Sequence, residues 1–210
     1  MVLARLGNAR DRDAERVGGL RAPKPGEVVN GDAWTSVHRA DVSVVLVSDG
    51  VGHGPDAAAA SARALETFHG LHSTAPAECL AAIHEALRPT RGACVAIAAL
   101  HHRSRRLRYA GIGNLGGAIV SSDGQRGLVS MHGTAGSAAR TIREFDFELP
   151  RGAVVVMHSD GITTRSEPPP RGLLMRHPSL IAAQTFCTRH RGNDDAVVVV
   201  LRADADPEAA

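Results

Sequence analysis

Seven short runs rich in β-branched and aliphatic residues constrain this chain more than any other feature. They are VSVVLVS (42–48), ACVAIAAL (93–100), RLRYAGI (106–112), GGAIVS (116–121), REFDFEL (143–149), AVVVMHS (153–159) and AVVVVLR (196–202). Each has the length of a strand, and most are bounded by Gly, Pro, Asn or Asp. RLRY and REFDFEL alternate, as half-buried strands do. VVLV and VVVV do not, which predicts strands covered on both faces.

Helical patterns are fewer. PDAAAASARALETFHGL places Pro55 and Asp56 in a first turn, where both are favourable. PAECLAAIHEALR spaces Leu80, Ile83, His84 and Leu87 as one amphipathic face, and HPSLIAAQTFCTRH precedes the last strand. The order is strands, a helical pair, antiparallel strands, a helix and a final strand. This predicts an α+β fold of packed sheets with helices outside, not a βαβ alternation. The 210 residues fit one domain. APKPGE (22–27) reads as a turn and SEPPPRG (166–172) as a loop insert. Residues 1–20 read as a loose arm or an edge strand, and 203–210 as a polar tail.

Composition excludes several classes. A formal net charge of +2 gives no electrostatic case for a nucleic-acid or membrane-surface partner. Cys79, Cys94 and Cys187 are odd in number and widely spaced, with no CxxC pair, so neither a disulfide framework nor a zinc ribbon is expected. No apolar segment follows the charged N-terminus and no apolar run approaches a membrane span, so a cytoplasmic location is expected. GIGNLG (111–116) matches a dinucleotide fingerprint, but the strand-like GGAIVSS follows it where a helix is required. Gly113-Asn114 reads better as a hairpin turn.

Acids punctuate the strand ends. Asp49 and Asp160 each follow an apolar strand and precede glycine, in VSDGVG and HSDGIT. Asp32 lies in NGDAW, and Asp194 and Asp195 stand directly before AVVVVL. One such acid is an ordinary turn former. Several gathered at a core rim repel one another and lose hydration, so they need a counter-charge. No pattern of basic residues accompanies them. A divalent cation supplies that charge, and an all-oxygen carboxylate site suits Mg²⁺ or Mn²⁺. His69, His72 and His84, on predicted helices, and His158, inside a strand, read as surface or satisfied core positions, and HHRSRR (101–106) as a solvated hairpin turn.

Taken in order, NGDAW, SDGVGHGPDAA, GIGN, HSDGIT and NDDAVVVVLR resemble the motifs of the PPM-type metal-dependent Ser/Thr phosphatases. The SpoIIE/RsbX branch, marked by DGxGHG before an Ala-rich helix, is the most similar, and the resemblance spans residues 27–202. It implies an α-β-β-α sandwich of two antiparallel sheets. It also implies two Mn²⁺ or Mg²⁺ ions, with Asp49 as bridging ligand, the Gly50 carbonyl and Asp32 contributing, and Asp160 and Asp194 completing one shell. Asp195 would be a neighbour or alternative ligand, and the motif glycines would let backbone approach metal. His53 has two readings, a proton-transfer group beside the centre or a residue closing the turn before Pro55. The resemblance implies hydrolysis of phosphoserine or phosphothreonine on a bacterial regulatory protein, of STAS anti-anti-sigma or stressosome type. A non-catalytic regulator keeping the fold and a small-phosphoester hydrolase are the alternatives. GITTR and Val197 depart from the usual motifs, and the phosphate-binding arginine of eukaryotic relatives has no counterpart.

Overall fold

The computed structural model describes residues 16–137, 141–164 and 171–203. Among these residues, ten strands form two antiparallel sheets. The first holds β2 (Asp32–Arg39), β3 (Val42–Gly50), β4 (Ala93–His101), β5 (Arg106–Ile112) and β8 (Glu144–Glu148), side by side in that order. The second runs β1 (Val17–Ala22), β10 (Ala196–Arg202), β9 (Val154–His158), β6 (Gly116–Ser121) and β7 (Gly124–Gly127). Helices α1 (Pro55–Gly70) and α2 (Pro76–Leu87) cover the first sheet, while α3 (Arg171–Leu174) and α4 (Pro178–Arg189) lie on the second.

The continuous valine runs follow from this layering. In β3, Val45 and Val47 enter the core between the sheets, while Val44 and Leu46 face α1 and α2. In β10, Val197, Val199 and Leu201 point inward, and Val198 and Val200 meet Ile181 and Phe186 of α4. Each strand is thus apolar on both faces because both faces are covered.

Four features differ from the sequence reading. The segment from Asp32 to Arg39, absent from the seven strand-like runs, is a full eight-residue strand; β2 is polar because it is the sheet's edge and mostly half-buried. Gly113 does take a positive φ of 101°, but the GIGN turn is no hairpin: it carries the chain from β5 in one sheet to β6 in the other. His72 falls beyond the end of α1. His102 is buried rather than solvated, its Nε2 2.6 Å from Ser43 Oγ; burial and the nearby Arg16 push its pKa down to about 4. SEPPPRG falls largely outside the described residues. Among those described, no helix is long and apolar enough to cross a membrane.

Candidate metal centre

Antiparallel register sets the first pair of acids. Asp32 on β2 stands directly opposite Asp49 on β3, a spacing at which like charges are destabilising. Asp32 is 1% exposed. β9 leaves the other sheet, and antiparallel β10 enters it, at the same end of the sandwich, which brings Asp160, Asp194 and Asp195 there. Two contacts tie the halves together. Ser159 Oγ donates to Asp32 Oδ2 at 2.6 Å while accepting the Val197 amide at 3.1 Å. Asp195 accepts the Lys24 amide on Oδ1 at 2.8 Å and the Gly31 amide on Oδ2 at 3.0 Å.

The remaining acids are held more lightly. Asp194 Oδ1 accepts the Asp195 amide at 2.9 Å. Asp160 is exposed, and Asn114 Nδ2 donates to its Oδ2 at 2.8 Å. Asn114, Ser159 and Lys24 escaped the sequence reading. The GIGN match offered a signal for the first and the repeated SDG for the second; nothing in the sequence marked the third, which acts through its backbone.

Electrostatics single out the central pair. Burial pushes the Asp49 carboxyl up to about 9, with further upward pushes from Asp32, Asp160 and Asp194. Asp32 rises to about 7, again chiefly through burial, with Asp195 and Asp160 adding and the Ser159 hydroxyl opposing. Among the described residues none of the five carboxylates is ion-paired with Arg, Lys or His. Arg21 comes near, but its guanidinium donates to the Asp32 backbone carbonyl at 3.0 Å. Such a cluster must take up protons or a cation. Its donors are all oxygen, which fits a hard divalent ion. No three of the described His, Cys, Asp and Glu side chains stand as a ready coordinating group.

The motif glycines serve packing first. A Cβ on Gly50 would lie 2.1 Å from the Ala57 carbonyl of α1, and one on Gly161 2.1 Å from the Asp195 carbonyl. Gly31 sits against Asp195 Oδ2 and Ala57 in the same way. These residues let α1 and the β10 entry close on the acid cluster. Gly50→Ala is therefore expected to cost about 1–3 kcal/mol through overpacking, read as a lower urea midpoint; an unchanged midpoint would show that α1 yields freely.

His53 lies on the loop beyond Gly50, half-exposed, with Nδ1 2.7 Å from Glu27 Oε1. From the segment between α2 and β4, Arg91 pairs with Asp56 of α1 at 2.6 Å, and its guanidinium approaches Gly52 on the His53 loop.

Comparison with known proteins agrees with this architecture. A family model for stage II sporulation protein E (SpoIIE) matches residues 40–205. No curated protein matches the chain significantly. A solved structure of the bacterial stressosome, described as a modular system adapted to control secondary messenger signalling, is 27% identical with a TM-score of 0.80; the match covers 89% of this chain and 98% of that one. RsbX in complex with magnesium is 19% identical at a TM-score of 0.73, covering 89% and 94%. The PP2C domain of SpoIIE from Bacillus subtilis, with a fragment of its regulatory domain, is 19% identical at 0.71, covering 89% and 63%. With the family model spanning most of its length and the same paired sheets in these relatives, the chain belongs to the SpoIIE family and is a PPM-type Ser/Thr phosphatase of the SpoIIE/RsbX branch.

Proposed function

We propose that this phosphatase acts on phosphoserine or phosphothreonine of a regulatory protein, and that Asp32, Asp49, Asp160, Asp194 and the Gly50 carbonyl hold a pair of Mn²⁺ or Mg²⁺ ions. One observation carries the reading: carboxylates from both sheets meet at one edge without a cationic partner among the described residues, two of them pushed far above the ordinary carboxylate range. When bound, such ions supply Lewis acidity toward phosphate and a water made acidic enough to attack at neutral pH.

The protein's own groups divide the remaining work. Asp195 has both oxygens engaged by backbone amides, so its role is to lock the Gly31 and Lys24 backbone around the centre. Ser159 holds Asp32 in orientation, and Asn114 does so for Asp160. To His53 we assign proton transfer to the departing serine or threonine oxygen; its contact with Glu27, which steadies the ring, supports that reading. A STAS-type or stressosome protein is the proposed substrate, in keeping with the motifs and the stressosome relative.

Mn²⁺-dependent phosphate release from a phosphorylated STAS-domain protein tests the substrate class, with p-nitrophenyl phosphate alongside. Release from the aryl ester alone would leave a small-phosphoester hydrolase; release from neither would end the enzymatic reading. Asn114→Ala is expected to weaken apparent Mn²⁺ affinity about 10–100-fold, the usual range for losing a group that orients a ligand. A metal titration of activity that superimposes on the wild type would remove Asn114 from the centre.

A further inference from the structure

The second sheet is unevenly covered. Helix α4 packs on β1 and β10, and beside it, over β6, β7 and β9, lies a cavity of about 290 Å³. That is close to the small end of ligand-binding cavities, which begin near ~300 Å³. The hollow exists because Gly116, Gly117 and Ala118 are consecutive small residues on β6. A Cβ on Gly116 would come within 2.3 Å of the His158 ring.

His158 is the unusual wall. It is 7% exposed, and its Nδ1 lies 2.8 Å from the Ser159 carbonyl. A carbonyl only accepts, so Nδ1 carries the proton and Nε2 of the neutral ring is left as an acceptor. Nε2 has no hydrogen-bond partner among the described residues, although the ring borders the cavity. Arg189 lines the same cavity, and its partial burial lowers its own pKa. A guanidinium carries five donors in a fixed fork, a geometry suited to a carboxylate.

We propose that this cavity binds a small hydroxy acid. Its apolar body lies against Ala118, Val120 and Val156, its hydroxyl donates to His158 Nε2, and its carboxylate faces Arg189. Position gives such a ligand a route to the acid cluster. His158 is followed at once by Ser159, which holds Asp32, and by Asp160. Occupancy on the outer face of β9 therefore bears on the strand end that supplies one predicted ligand and orients another.

The test uses 4-hydroxybenzoate as probe, with benzoate lacking only the hydroxyl, titrated into the ¹⁵N-labelled full chain and followed by NMR. 4-Hydroxybenzoate is expected to shift the amides of Gly116, Gly117, His158 and Thr185 saturably. Benzoate should bind about tenfold more weakly for the lost hydrogen bond. Gly127 pairs with Ala118 across β6 and β7, and nothing lies within 4 Å of where its Cβ would stand. Gly127→Leu thus fills the cavity mouth without a clash, and Ala118→Leu fills the floor; each should abolish the saturable shifts. Absence of saturable shifts in the wild type, equal affinity for benzoate, or retained binding in Gly127→Leu with an unchanged melting temperature would overturn the proposal. If Ala118→Leu does not fold, Gly127→Leu alone decides.

Discussion

Asp49→Asn is expected to lower Mn²⁺-dependent phosphate release by at least about 10²–10³-fold, the range for deleting one charge-stabilising group at a reacting centre, and yet to make the metal-free protein more stable. The substitution keeps the shape of the side chain and removes its charge. Asp49 faces Asp32 across β2 and β3 and feels Asp160 and Asp194 as well. A neutral amide there no longer has to be desolvated as an anion or take up a proton to fold. Activity on p-nitrophenyl phosphate and calorimetry in EDTA at pH 8 measure the two halves. Activity within threefold of the wild type would exclude Asp49 as a principal ligand. A lower melting temperature in EDTA would mean that the carboxyl makes contacts worth more than the repulsion it suffers. The opposite signs matter, because a residue important only for folding would lose both activity and stability.

The sequence shows the acids but not what organises them. Asp49 and Asp160 are legible because each ends a valine-rich strand and precedes glycine, and the valine runs themselves announce a four-layer stack. What holds the acids is dispersed along the chain. Ser159 reaches Asp32 across 127 positions, and Asp195 reaches Gly31 across 164. Such partners are visible only once the two sheets are stacked. β2 is not legible as a strand because an edge strand does not need an apolar pattern. GIGN reads as a hairpin because glycine marks a turn without saying which sheet the chain enters next. At Gly50 the close backbone of α1 adds a packing reason for glycine that the motif does not announce.

Metal and pH together give the second large effect. Asp32 and Asp49 have folded-state pKa values raised from 3.8 to about 7 and about 9. Above the unfolded value the unfolded chain releases these protons while the folded chain keeps them. The native state then binds more protons, so stability falls as pH rises. The penalty is absent below about pH 4 and grows through about 7 for Asp32 and about 9 for Asp49, at up to about 1.4 kcal/mol per pH unit for each group. Metal-free protein in EDTA should therefore lose stability from about pH 4 to about pH 9, and Asp49→Asn should flatten the upper part of that slope. Saturating Mn²⁺ removes this slope. An ion that binds the deprotonated acids displaces protons, so its hold strengthens with pH and offsets the falling stability of the metal-free fold; at a given pH, a hundredfold excess over its dissociation constant adds about 2.7 kcal/mol. Urea unfolding across this range should give a falling stability in EDTA and a nearly flat one in Mn²⁺ for the wild type, with the two slopes closer together for Asp49→Asn. Parallel wild-type slopes would mean that the acid cluster does not bind the ion, whatever the motifs suggest, because no other described group combines such burial with so much like charge.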